Sequence, residues 1–99
     1  MRLDKWLKVS RLIKRRTVAQ MACDHGRVFV NDRIAKSAVE LKPGDQVHLE
    51  LGSKAITVRV VEVPQGNVSI QQAGTLYDII EEIRRAPEVL EWLPDLDKD

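Results

Sequence analysis

The stretch "RLIKRRTVAQMACDHGRVFVN", residues 11–31, decides the fold of this chain. Thr17 and Gln20 have the spacing of a capping box, and Gly26 fits the left-handed residue that follows a last helical turn. We therefore predict a helix over residues 18–25. After Gly26 the apolar residues alternate, which is typical of a β-strand.

The residues before this stretch predict an amphipathic helix over residues 2–14. One side of that helix would carry Leu3, Trp6, Leu7, Ser10 and Ile13. This spacing places Trp6 among apolar neighbours, which favours a core position over stacking on a base. Small side chains at Ala19, Ala22 and Cys23 would let the second helix pack closely against the first.

The middle of the chain predicts a small antiparallel sheet. Its predicted strands and turns are a strand over residues 27–31, a tight turn "NDR" at 31–33, a type II turn "KPGD" at 42–45, strands over 46–51 and 55–63, and a short strand "VSI" at 68–70. Two N-terminal helices packed on this bent sheet make the fold class α+β. We assign residues 1–70 to this domain, with the motif core in residues 1–50.

The C-terminal part predicts a third helix and an acidic tail. Thr75 and Asp78 have cap spacing, Pro87 would end the helix, and the apolar face would carry Leu76, Ile79, Ile80 and Ile83. Residues 71–99 therefore form the predicted C-terminal region. Its end, "EVLEWLPDLDKD", is either a clasp folded back on the domain or a partially ordered tail. Trp92 would anchor this tail or contact a protein partner, and the acidic tail could also compete with RNA for the basic residues.

Charge is distributed unevenly along a chain whose formal net charge is only +1. Residues 1–36 contain ten Lys and Arg against three Asp and Glu, whereas residues 75–99 contain three against eight. Within residues 1–16, seven cations face a single acid, Asp4. This pattern predicts a basic surface for an anionic partner.

Composition excludes several classes of protein. The 99 residues suffice for one small domain and not for a large catalytic one, and 43% hydrophobic residues are ordinary for a globular protein. Cys23 is the single cysteine, so no intramolecular disulfide can form. The N-terminus lacks an apolar run that could serve as a signal peptide or span a membrane, so we expect a cytoplasmic protein.

Catalytic and metal sites are not indicated. Cys23 and His25 would be the obvious nucleophile and base, but residues two apart on a helix point in different directions. Buried packing of the thiol is the more usual role of such a cysteine. We expect no catalytic residue, no metal and no cofactor.

Four segments together resemble one known family. The segments "RLDKWL", "RLIKRRT", "HGRVFVN" and "KPGDQVHL" occur in the order and spacing of the S-four (alpha-L) RNA-binding domain, over about residues 1–50. The chain departs from the usual pattern at Asp32, where the family commonly has glycine. The resemblance implies the S-four fold, with RNA bound by the first two helices and the adjacent turn.

Carried over position by position, the resemblance implies an RNA-binding set of Arg2, Lys5, Lys8, Arg11, Lys14, Arg15, Arg16, Gln20, Arg27 and Asn31. Asp4 would orient the neighbouring cations without touching phosphate. Because the basic half has few aromatic residues for stacking, we expect recognition of RNA shape and backbone with little reading of sequence.

A chain that starts at Met1 and ends at Asp99 would be a free-standing member of this family, and its start is close to that of members that act in ribosome quality control. That resemblance implies a non-enzymatic monomer that binds large-subunit rRNA and peptidyl-tRNA on stalled large ribosomal subunits, without a membrane. It also implies support for C-terminal alanine tailing by an RqcH-type partner. The alternatives are a general heat-shock ribosome-recycling factor and a small protein-interaction module.

Overall fold

The computed structural model describes residues 1–52, 54–66 and 68–84. Its elements are α1 (Leu3–Val9), α2 (Arg16–Asp24), β1 (Val28–Val30), β2 (Arg33–Ile34), β3 (Gln46–Leu51), β4 (Lys54–Val60), α3 (Ile70–Ala73) and β5 (Tyr77–Arg84). The five strands form one antiparallel sheet in the order β2-β1-β3-β4-β5. The predicted α+β class is confirmed.

One hydrophobic core joins the two N-terminal helices to the sheet. Trp6 is completely buried, as predicted, and its indole nitrogen donates a 3.1 Å hydrogen bond to the carbonyl oxygen of Glu62. On the inward face of the sheet, Val47 on β3 lies opposite Val58 on β4, and Val28 on β1 lies opposite Leu49 on β3, all of them buried. In the described part of the chain, no helix has the length and apolarity needed to cross a membrane.

The first helix is shorter than predicted. It ends at Val9, and Arg11 adopts a left-handed conformation with φ of 64°. The Ser10 hydroxyl donates to the carbonyl oxygen of Leu7 at 3.1 Å, and the Ile13 amide donates to the same carbonyl oxygen at 3.1 Å. The chain therefore turns back over the helix end, and Ile13 reaches the core from outside the helix.

The second helix begins earlier than predicted, at Arg16, with Arg15 as its N-cap residue. The Ala19 amide already donates to the carbonyl oxygen of Arg15, so Thr17 lies inside the first turn and cannot cap it. The predicted capping box is therefore wrong. The helix ends at Asp24, one residue before the predicted end. The predicted left-handed residue after the helix is confirmed at Gly26, which has φ of 70°.

Both predicted turns are confirmed. Asn31 and Asp32 have φ of 50° and 68°, the two positive values that a type I′ hairpin turn requires, and they join β1 to β2. In the second turn, Gly44 has φ of 94° and the Asp45 amide donates to the Lys42 carbonyl oxygen at 3.1 Å. This geometry is that of a type II turn.

The predicted C-terminal helix is wrong, because its residues form strand β5. This strand pairs with β4 along the whole length of that strand, from Lys54 opposite Arg84 to Val60 opposite Tyr77. Without β5, one edge of β4 would have unpaired backbone N–H and C=O groups, and β5 supplies their hydrogen-bond partners. The β-branched isoleucines of this segment also suit a strand. Thr75, expected to start the helix, instead donates its hydroxyl to the carbonyl oxygen of Gln72 at 2.7 Å.

The predicted strand at residues 68–70 is also wrong. Ser69 is the N-cap of α3, and its hydroxyl accepts a hydrogen bond from the Gln72 amide at 3.3 Å. Ile70 begins that helix and is 71% exposed. The predicted acidic tail, with Trp92, lies outside the described residues.

Candidate nucleic-acid interface

A buried carboxylate organises the start of the basic surface. Asp4 is completely buried on α1, and Arg2 places its Nε 3.3 Å from Asp4 Oδ1. From α2, Arg16 Nε lies 3.3 Å from Asp4 Oδ2, and Gln20 Nε2 donates to the same oxygen at 2.8 Å. One acidic side chain therefore holds three polar side chains from two elements.

The environment keeps Asp4 ionised. Burial alone would raise the pKa of this carboxyl, because the charged form loses water. Hydrogen bonds from Gln20 and the Lys5 amide, together with the positive charge of Arg16 at 3.3 Å, outweigh burial and leave the pKa below its ordinary value of 3.8. At neutral pH the negative charge of Asp4 thus stabilises the positions of Arg2 and Arg16.

Pairing with Asp4 does not remove the two arginines from solvent. The Arg2 side chain is 45% exposed and the Arg16 side chain is 41% exposed. Each guanidinium has five N–H donors in a planar fork, and Asp4 engages only part of them. The two arginines and the one carboxylate together have a net charge of +1. The exposed parts of the two guanidinium groups can therefore bind a further anion.

The remaining cations continue from this point along α1 and into the connection to α2. Lys5 and Lys8 follow Arg2 at intervals of three, a spacing that keeps side chains on neighbouring parts of one helix surface. Exposed side chains at Arg11, Lys14 and Arg15 lie in the segment between the helices. We name Arg2, Lys5, Lys8, Arg11, Lys14, Arg15 and Arg16 the basic surface.

Two residues of the predicted RNA-binding set have other partners in the sheet. The Asn31 side chain donates to Asp45 Oδ1 at 3.1 Å and accepts from the Gln46 amide at 3.0 Å, so both ends of its amide stabilise the hairpin turn. Arg27 Nη1 lies 3.9 Å from Glu50 Oε2. None of these contacts involves Asp4, and an RNA contact by Asn31 or Arg27 stays a prediction.

The single cysteine has the properties of a packing residue. Cys23 is buried on α2, and burial, reinforced by the negative charges of Asp4 and Asp24, raises its pKa to about 11. A thiol with that pKa is protonated near neutral pH and is a poor nucleophile or metal ligand. Residues 1–52, 54–66 and 68–84 contain no group of three or more His, Cys, Asp or Glu side chains that could hold a metal ion.

The structure also places three further residues beside the basic surface, and the sequence did not indicate this position for them. Val63, Pro64 and Gln65 line a cleft with Arg2 and Lys5, although about 60 positions separate the two groups in the chain. The sequence predicted Val63 only as the end of a strand and gave no sign that residues 63–65 lie beside Arg2 and Lys5. Their position depends on the hydrogen bond from Trp6 to Glu62, a tertiary contact.

Comparisons with known proteins agree with this architecture. The family model of the S4 domain matches residues 1–47. The RQC P-site tRNA stabilizing factor of Streptococcus pneumoniae is 50% identical over 84 residues, which cover 85% of this chain and 94% of that protein. The protein of the same name from Bacillus subtilis is 45% identical over 82 residues, 83% of this chain and 94% of the other.

Among solved structures, trimeric Heat Shock Protein 15 of Vibrio cholerae has a TM-score of 0.74 at 29% identity, covering 80% of each chain. The resemblance to the S-four domain is thereby confirmed in sequence and in fold. Since half of the aligned residues are identical to those of the Streptococcus pneumoniae protein over nearly its whole length, the chain belongs to the family of RQC P-site tRNA stabilizing factors.

Proposed function

We propose that this protein is a non-catalytic RNA clamp of ribosome quality control in the cytoplasm. In this proposal the basic surface binds rRNA of a stalled large ribosomal subunit and the peptidyl-tRNA that the subunit retains. By keeping the tRNA in place, the protein supports alanine tailing of the nascent chain by an RqcH-type partner. The family name of the relatives, which refers to P-site tRNA, supports the tRNA part of this proposal.

The arrangement around Asp4 carries the proposal. A phosphate contact is worth most when the cation is already ordered, because ordering a long side chain on binding costs conformational entropy. Asp4 and Gln20 lower that cost by fixing Arg2 and Arg16 before RNA arrives. A surface that served only general solubility would have no need of a buried carboxylate beneath its arginines.

Clamping requires no chemical step by the protein. A ligand that binds one state of a complex more tightly than another increases the population of that state by its difference in affinity. Contacts to rRNA and tRNA at the same time would favour the complex in which the tRNA stays in the P site. Elongation of the tail is then carried out by the partner while the tRNA remains bound.

The first test uses charge reversal on the basic surface. Arg16→Glu should remove sedimentation with large ribosomal subunits while the circular dichroism spectrum is retained. Arg59→Glu is the matched control, because Arg59 is an exposed cation on β4 that is not part of the basic surface. Equal loss of subunit binding in both variants, or in neither, contradicts the proposal.

A second function deserves a test because the fold also matches Heat Shock Protein 15. A general ribosome-recycling factor would bind stalled subunits equally well but would not need a tailing partner. Alanine tails on nascent chains recovered with the protein distinguish the two. Tails that disappear when the gene for this protein is deleted support the proposed function, and unchanged tails support recycling.

A further inference from the structure

The cleft between α1 and residues 63–65 has the chemistry of a nucleotide site. It is lined by Met1, Arg2, Lys5, Val63, Pro64 and Gln65 and has a volume of about 330 Å³. This volume is within the range of roughly 300 to 1,000 Å³ that is usual for small-ligand sites. The cleft extends beyond residues 1–47, the part matched by the S4 family model.

Both walls of the cleft are held in place by hydrogen bonds. On one side, the Leu3 amide donates to the carbonyl oxygen of Val39 at 2.8 Å, and the Met1 ammonium group pairs with Glu40 at 2.9 Å. On the other side, Trp6 binds the carbonyl oxygen of Glu62 at 3.1 Å. The Glu62 amide in turn donates to the carbonyl oxygen of Leu76 at 3.1 Å. The walls are therefore formed before any ligand binds.

The lining matches the three chemical parts of a nucleotide. Arg2 and Lys5 supply positive charge for a phosphate group. Val63 and Pro64 are half-buried and supply an apolar wall for the face of a base. The exposed Gln65 side chain carries both a donor and an acceptor, which are required to bind the edge of a base.

Two other clefts on the described part of the chain differ in charge. One is lined by Asp32 and Glu50 beside Phe29, and the other is lined by Asp24 together with Lys36. Among the described residues that line the cleft at Arg2, none is acidic. A polyanion is therefore favoured at this cleft and disfavoured at the first of the others.

We propose that this cleft binds one unpaired nucleotide of the RNA held by the basic surface, with phosphate at Arg2 and Lys5 and the base against Val63, Pro64 and Gln65. The inference rests on the proposed function and adds a base contact to it. Unpaired nucleotides are the part of folded RNA whose base edges are open to a protein. The protein then distinguishes RNA that offers such a nucleotide from fully paired RNA of the same charge.

The test compares two RNA probes of equal length and charge. One is a hairpin with an unpaired bulge, and the other is the same hairpin with abasic nucleotides in the bulge. Wild-type protein should bind the first at least about fivefold more tightly, since one net hydrogen bond of ~1 kcal/mol already has this effect. Gln65→Ala should lower the preference by about fivefold, because the hydrogen bond is lost while the base keeps its contact with Val63 and Pro64. The matched control is Gln71→Ala, an exposed glutamine on α3 outside the cleft, which should keep the preference.

Salt dependence separates this inference from the proposed function. Gln65 contacts no phosphate in the proposal, so Gln65→Ala should leave the slope of log affinity against log salt unchanged. Arg16→Gln should reduce that slope by roughly 0.7 to 0.9. If wild-type protein does not distinguish the two probes, the nucleotide site is wrong while the clamp stands. If Arg16→Gln also changes nothing, the clamp itself is wrong.

Discussion

Gln20 Nε2 on α2 donates a 2.8 Å hydrogen bond to the buried Oδ2 of Asp4 on α1, which ties the two N-terminal helices together at the basic surface. The same carboxylate pairs with Arg2 and Arg16. A buried acidic residue thus lies beneath the basic surface that we propose binds RNA, which is itself negatively charged. Its effect is to position the arginines, and that effect can be separated from charge by substitution.

Asp4→Asn should weaken RNA binding even though it makes the protein more positive by one charge. The asparagine keeps the shape but loses the attraction that holds Arg2 and Arg16, so we expect about fivefold lower affinity, or ~1 kcal/mol. The free energy of unfolding should fall by about 1 to 3 kcal/mol, because hydrogen bonds to a charged group are lost. Binding assays and urea unfolding measure the two effects.

The control for this substitution is Asp24→Asn, which makes the same change of charge at an exposed position on α2. Simple electrostatics predicts slightly tighter RNA binding in both variants. Tighter binding by Asp4→Asn would mean that the arginines act through charge alone and need no positioning.

Stability should depend on pH through Asp4. Because its pKa in the folded protein is held below 3.8, ionised Asp4 stabilises the folded state at higher pH. That contribution should begin to fall near pH 4 and be lost as the pH drops through the lowered folded value. Urea midpoints of wild type and Asp4→Asn should therefore converge on acidification. Parallel curves across this range would contradict the assignment of the lowered pKa to Asp4.

Sequence reasoning succeeded where local patterns and tertiary structure agree. Strand β3 was predicted at its observed bounds, because its inward residues alternate strictly with outward ones. The buried position of Trp6 followed from the apolar side of α1. The corner between the helices was less predictable, since the left-handed Arg11 carries no glycine signal and α1 already ends at Val9.

Strand β5 shows why helical spacing of apolar residues led to a wrong prediction of a helix. Leu76, Ile79, Ile80 and Ile83 have helical spacing, but only Leu76 is buried, and the three isoleucines are 45% to 55% exposed. The register shift between Thr57 and Val58 places Ile79 opposite Val58 and Glu81 opposite Thr57, so Ile80 is an extra residue. A bulge breaks the alternation of period two by which a strand is recognised in sequence.

Asp32→Gly should stabilise the protein by about 1 kcal/mol. Asp32 holds a φ of 68°, a region that costs a residue with a Cβ more than it costs glycine. Glycine would also restore the residue usual in the family at this turn. Asp32→Ala, which lacks both the flexibility of glycine and the local hydrogen bonding of aspartate, should lower the urea midpoint. Stabilisation by alanine as well would mean that backbone strain is not the cause.

Asn31→Ala should lower the free energy of unfolding. Its side chain bonds Asp45 and the Gln46 amide, so truncation should cost about 1 to 2 kcal/mol for two net hydrogen bonds. The φ of 50° at this position adds a backbone cost for alanine. RNA affinity measured on fully folded protein then decides whether Asn31 also belongs to the RNA-binding set. An unchanged affinity assigns Asn31 to the turn alone, and a loss keeps it in the set.

Arg11 should lower the stability of the folded protein and raise its affinity for RNA. Its φ of 64° is unfavourable for arginine, yet this strained position carries an exposed cation between the two helices. Arg11→Gly and Arg11→Ala remove the same charge, but only glycine relieves the backbone, so the glycine variant should be more stable than the alanine variant by about 1 kcal/mol. Both variants should lose RNA affinity equally and should reduce the salt slope by the same amount. A glycine variant that keeps wild-type affinity would remove Arg11 from the basic surface, and equal stability of the two variants would mean that the left-handed conformation carries no strain.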